Sequence, residues 1–312
     1  MHPFRGAMLA TLLLALPEVA AAQVLSLDLL RWVTTPPPVL DTVEFPAASK
    51  PVAVRHDALL PSHRIVAFYG TPLSTRMGIL GEIPPDQMMA KLDTVAAQWQ
   101  AVDSTRTVLP ALHLIATVAQ PHPGNDGMYR LRHGDATISK VVDWADSRGW
   151  LVFLDIQIGR APMSGEVTRL LPWLRRSNVH LAIDPEFAMP PGGVPGRRIG
   201  TVDAREINDA IDQLAELVER HRLPPKVLIV HRFTEAMVTN ASEIKADPRV
   251  QVVIHMDGFG SPSLKRNIYD LVVTRRPVQF AGLKLFYKND KPMLAPSEIV
   301  RLLPTPVYIQ YQ

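Results

Sequence analysis

The sequence predicts an α/β fold, a (β/α)8 TIM-like barrel with its last helix missing and a Pro-rich N-terminal lead-in. Two observations carry that expectation. Eight short strand-like runs alternate with helix-period segments, which calls for a parallel sheet with helical crossovers. In addition, at least six apolar runs switch to ionisable or amide residues at their C-terminal ends. Strands that all turn polar at one end are what the active-site face of a barrel enzyme presents.

The strand-like runs are Arg64–Tyr69, Val108–Val118, Trp150–Ile158, Val179–Glu186, Val227–Phe233, Val250–Asp257, Gln279–Tyr287 and Val307–Tyr311. Helix-period segments between them are Gln87–Val102 after Pro84-Pro85, Thr137–Ser147, and Gly165–Arg176. Asp203–Arg220 is the clearest helix. Asp203 and Glu206 make a capping-box start, and Ile207, Ile211, Leu214 and Val218 mark one apolar face. Ser261-Pro262 opens a helix running to about Arg275, and Pro296–Leu303 reads as a shorter one. A further helix is expected after Phe233, where the period is weak. A doubly wound open sheet would want a Gly-rich phosphate turn after the first strand; Tyr69-Gly70-Thr71-Pro72 is not one.

Upstream, Met1–Arg5 carries one positive charge, Ala7–Leu16 is apolar and Ala20-Ala21-Ala22 supplies small residues, the order of a secretory signal peptide (residues 1–22). Cleavage near Ala22 implies export, periplasmic or secreted. Residues 23–62 form the lead-in, with Pro36-Pro37-Pro38 at its centre and a short helix at Leu25–Trp32, and residues 63–312 form the barrel domain. No later run is long and apolar enough for a membrane helix.

Composition narrows the chemistry. The formal net charge is +3 and no dense basic stripe is present, so nucleic acid is not an expected partner. There are no cysteines, which excludes disulfides, thiol nucleophiles, a cysteine zinc site and a lipidated N-terminal Cys. G-x-S-x-G and P-loop signatures are also missing.

Residues two apart on a strand share a face. Parity therefore gathers Tyr69, His113, Asp155, Gln157, Asp184, Glu186, His231, His255, Asp257, Lys284, Tyr308 and Gln310 at one barrel mouth, although His113 lies mid-run and also fits a hydrogen-bonded core histidine. Burying such groups costs a few kcal/mol each unless they are paired or used.

Three functions fit. The first is glycoside hydrolysis of an envelope or environmental glycan without a cofactor: Glu186 is the acid and Asp184 its partner, with Asp155 and Asp257 alongside. Tyr69, Gln157, His231, His255, Lys284, Tyr308 and Gln310 then bind substrate. The second is a divalent-metal hydrolase holding zinc or manganese through Asp155, Glu186, His231 and Asp257. The third is a non-catalytic carbohydrate-binding barrel.

Asp184-Pro185-Glu186 resembles the Asp-x-Glu that chitinase-type barrels carry at the end of the fourth strand, but that family's further Asp positions are His180 and Ala182 here. The chain also resembles a family of exported bacterial proteins, some described as lipoproteins. That likeness rests on Tyr69-Gly70-Thr71-Pro72-Leu73-Ser74, Met77-Gly78-Ile79-Leu80-Gly81-Glu82, Asp184-Pro185-Glu186-Phe187, Met256-Asp257-Gly258-Phe259-Gly260-Ser261-Pro262 and Lys284-Leu285-Phe286-Tyr287-Lys288. It spans roughly residues 60–312 and implies a barrel in the cell envelope; the lack of Cys departs from the lipoprotein members.

Overall fold

The computed structural model describes residues 54–312. The signal peptide expected over residues 1–22, the helix expected at Leu25–Trp32 and the Pro36–Pro38 centre of the lead-in lie outside the described residues.

Eight parallel strands close into a barrel: β1 His63–Gly70, β2 Thr107–Ala119, β3 Leu151–Ile156, β4 Val179–Ile183, β5 Lys226–Arg232, β6 Val250–Met256, β7 Phe280–Leu285 and β8 Tyr308–Tyr311. Closure is explicit in the register, because β1 pairs with β2 on one side (Tyr69 opposite His113) and with β8 on the other (Ala67 opposite Gln310). The crossover helices are α1 Pro85–Val102, α2 Asp135–Asp146, α3 Met163–Leu174, α4 Ala204–His221, α5 Pro262–Tyr269 (continued by a π-helical stretch over Asp270–Thr274) and α6 Pro296–Ile299, with a one-turn helix at Ile79–Glu82 before α1. Among the described residues, no helix is long and apolar enough to cross a membrane.

Alternation along each strand builds two apolar layers. Val66 and Phe68 face outward with Leu92 and Trp99 of α1, in the core between barrel and helices. Ile65, Ala67, Ala111, Phe153, Ala182, Ile229 and Val253 face inward and fill the barrel's lower interior. Burial of each larger aliphatic side chain contributes about 1.5–3 kcal/mol. The α4 start is the capping box that the sequence spells: Asp203 accepts from the Arg205 N–H at 3.1 Å, and the Asp203 N–H donates to Glu206 at 3.1 Å.

The lower end is closed by Leu60 of the lead-in. Its backbone N–H donates to Gln251 Oε1 at 3.0 Å and its carbonyl accepts from Gln251 Nε2 at 2.6 Å. A fully buried Leu therefore plugs the barrel with no backbone group left over.

Three local expectations are corrected. No α-helix follows Phe233; the segment holds 3-10 turns at Glu235–Met237 and Ala241–Glu243, with Val238–Thr239 pairing Val202–Asp203. The buried Arg232 guanidinium takes the carbonyls of Thr234, Glu235 and Val238, and Asn240 is left-handed, which together break a helical run. Second, β4 ends at Ile183 rather than Glu186. Pro185 has no N–H for the ladder, and Asp184 Oδ1 accepts the Glu186 N–H at 3.1 Å, capping a 3-10 turn over Pro185–Phe187. Third, α6 stops at Ile299, four residues short of the expected Leu303.

Candidate functional site

The strands' C-terminal ends deliver the polar residues in two tiers. The deeper tier holds His113 from β2, Asp155 from β3, His231 from β5, His255 from β6, and Tyr308 and Gln310 from β8, all fully buried. Above it stand Tyr69, Gln157, Asp184, Asp257 and Lys284, buried, and Glu186, half-buried at the rim. Parity holds for every strand residue in the set. Glu186 joins from a turn beyond β4.

His113, Asp155 and His231 converge. One ligand atom from each lies within 4.8 Å of the others. Asp155 Oδ2 is 3.7 Å from His113 Nε2 and 3.8 Å from His231 Nε2. Those separations are too long for hydrogen bonds. They suit two atoms each roughly 2.0–2.2 Å from a shared ion. Both Asp155 oxygens and both Nε2 atoms have no hydrogen-bond partner.

The opposite edge of each imidazole is held. His231 Nδ1–H donates to Asp257 Oδ2 at 3.0 Å, since a carboxylate only accepts, and whenever the ring is neutral Nε2 is a bare lone pair facing Asp155. His113 Nδ1 lies 2.6 Å from the Tyr308 hydroxyl and 2.9 Å from the Gln310 amide. Gln310 Oε1 is buried without a partner. Turning that amide over gives Nδ1–H a second acceptor and leaves Nε2 bare here too. An imidazole oriented through its far nitrogen by a carboxylate or hydroxyl is the usual outer support of a metal-binding histidine.

His255 stands directly across from His231 in the β5–β6 register, with both ring nitrogens buried and unpartnered. It fits because residue 282 is glycine: a Cβ there would lie 2.6 Å from His255 Nδ1.

Charge in the site is unbalanced. Burial raises the cost of the Asp155 charge, but His231, His113 and Lys284 outweigh it and hold the carboxyl below its usual range. Asp184 goes the other way, raised well above the carboxylate range by burial and by the charges of Asp155, Glu186 and Asp257. Burial and Asp257 push Glu186 up to about 8, which makes it a protonated acid at neutral pH. Lys284 is lowered by burial against the pull of Asp257, Asp184, Asp155 and Glu186, and its Nζ sits 3.7 Å above the Tyr69 ring. Burial lowers His113 to about 4, so both it and Asp155 are free of protons near neutrality.

Of the four residues expected as metal ligands, the structure brings Asp155 and His231 to one point. Asp257 instead holds the far side of His231, and His113 occupies the third position. Gln157 ties the upper tier together, with Nε2 donating to the Tyr69 hydroxyl at 3.2 Å and to Asp184 Oδ2 at 3.4 Å. His113 lies mid-run in the sequence because β2 continues beyond it past the barrel rim to pair, antiparallel, with Arg130–Arg132. Its partner across the β1–β2 register is Tyr69, which no single run reveals.

No family model matches the chain, and no curated protein matches it. The resemblances read from the sequence therefore rest on their own residues, and of what they imply the barrel fold is what the structure shows.

Proposed function

We propose that this protein is a divalent-metal-dependent hydrolase whose ion, zinc or manganese, is held by His113, Asp155 and His231. The observation that carries the reading is the convergence of three fully buried ligand groups whose facing atoms have no partner. His231, His113 and Lys284 favour the Asp155 charge, but its two oxygens accept no hydrogen bond, and a bound cation would supply the direct partner they lack. Two imidazoles and one carboxylate leave an open coordination position, as catalytic zinc sites do.

When bound, the ion supplies Lewis-acid activation of the scissile group. The chain's own residues supply the rest. Asp257 and Tyr308 fix the two imidazole rings, Glu186 donates a proton to the leaving group from the rim, and Lys284 offers positive charge near developing negative charge. The small-residue and apolar pattern of Met1–Ala22 supports an exported location.

A second reading, glycoside hydrolysis without a metal, is favoured by Glu186 alone, whose carboxyl at about 8 suits an acid catalyst. One assay separates the two. Turnover on a panel of esters, amides and glycosides is expected to vanish after chelation and return with Zn²⁺ or Mn²⁺, and Glu186→Gln is expected to lower kcat about 10²–10⁴-fold. Full turnover of a glycoside in chelator would overturn the metal reading and leave the second.

A further inference from the structure

The two sequence motifs Met256–Pro262 and Lys284–Lys288 are not explained by the residues that reach the site. What joins them lies outside it. Lys265 of α5 is fully buried and spends its ammonium group on three acceptors: the carbonyls of Gly258 at 2.8 Å and Lys284 at 2.6 Å, and Asp290 Oδ2 at 3.0 Å. Asp290, also buried, accepts the Gly260 N–H at 2.8 Å on Oδ1 and the Phe286 N–H at 2.9 Å on Oδ2. The pair thus grips the backbone immediately after Asp257 and the backbone at and after Lys284.

A buried ion pair is costly to desolvate and is weak evidence for stability by itself. This one has every donor of the ammonium and both carboxylate oxygens engaged, and all the backbone groups it holds flank two site residues. Asp257 in turn orients His231 through the 3.0 Å bond to Nδ1.

We infer that Lys265 and Asp290 form a positioning pair that fixes Asp257, and through it the His231 ring, together with Lys284. This deepens the metal-hydrolase reading and rests on it for the catalytic consequence. Outer supports of metal-binding histidines typically change ion affinity about 10–100-fold. The pair acts one step further out, so the loss on breaking it is expected near about 10-fold.

The test uses the full chain with Lys265→Met, Asp290→Asn and the double variant Lys265→Met/Asp290→Leu. The double variant replaces the pair with apolar groups and is expected to recover thermal stability, as such replacements often do. Two readouts follow: Zn²⁺ affinity by competition with a chromophoric chelator, and the His231 ring tautomer by long-range proton–nitrogen NMR. Expected is a wild type with a single Nδ1–H tautomer and, in the folded variants, mixed tautomers with Zn²⁺ bound about tenfold more weakly, even where stability has recovered. A folded double variant that keeps the wild-type tautomer and binds Zn²⁺ as the wild type does would overturn the positioning role while leaving the metal reading standing. A wild type that binds no Zn²⁺ while the variants still scramble the His231 tautomer would sink the metal reading and uphold the positioning pair.

Discussion

The two ends of this barrel bury polar groups in opposite ways. At the lower end they are spoken for: Gln251 satisfies both backbone groups of Leu60, and Lys226 donates to the carbonyls of Arg176 at 2.6 Å and Val179 at 2.9 Å. Arg64 meets Asp103 at 2.8 Å over the Trp99 ring and leaves its second terminal nitrogen, Nη2, unused. His180 accepts the Val227 N–H and leaves only Nε2 unused. At the upper end unused atoms lie on His113, Asp155, His231, His255, Asp257 and Gln310, and those of His113, Asp155 and His231 face one another. Isolated leftovers are a packing cost. A converging set of unpaired ligand atoms is the observation on which the metal proposal rests. Burial alone does not mark function; what marks it is whether the buried groups are satisfied.

Four changes break or sharpen that contrast, in falling order of effect. Asp155→Asn removes the anion at the centre of the upper cluster. It is expected to cut Zn²⁺ or Mn²⁺ affinity more than about 100-fold and, because His231, His113 and Lys284 favour that carboxylate's charged form, to destabilise the metal-free protein near neutral pH. Titration calorimetry and urea unfolding in chelator check the two halves.

Gln251→Leu attacks the satisfied end instead. It strands a buried N–H and a buried carbonyl on Leu60, and unfolding is expected to lose about 2–4 kcal/mol with ion affinity unchanged.

Lys226 gives the contrast a pH signature. Burial lowers its ammonium to about 7. The unfolded chain holds that proton to about 10.4. Between those values the unfolded state binds more protons, so this group makes stability rise with pH, by at most about 1.4 kcal/mol per unit. Urea midpoints at pH 7 and pH 9 are expected to show that rise in the wild type and to lack it in Lys226→Met.

The smallest effect is expected at Tyr308→Phe. It leaves the fold intact, removes one partner of His113 Nδ1 and weakens ion binding about tenfold.

Much of this was legible in the sequence, for a physical reason. Parity is a property of the extended backbone, so the inward set from Tyr69 through Gln310 follows once the strands are recognised. The Asp203–Glu206 box and the Ser261-Pro262 start were local and therefore readable. Depth was not local. The level of His113 depends on how β1 and β2 register, and the meeting of His113 with His231 depends on barrel closure, which no window of residues contains. The helix expected after Phe233 failed because a tertiary guest, the buried Arg232 side chain, takes its carbonyls. Asp184-Pro185-Glu186 stands out in the sequence because it is compact. In the fold it supplies the upper tier and rim of the same mouth, while the converging His113, Asp155 and His231 come from three separate strands.

The central claim is that His113, Asp155 and His231 hold one divalent ion. The most direct test is the ion content of the purified full-length chain after equilibration with Zn²⁺ or Mn²⁺, measured by mass spectrometry beside His113→Ala. One ion per chain in the wild type, falling to trace in the variant, is the expected result. An equal ion content in the two proteins, or a wild type that carries less than about one ion per ten chains, would contradict it.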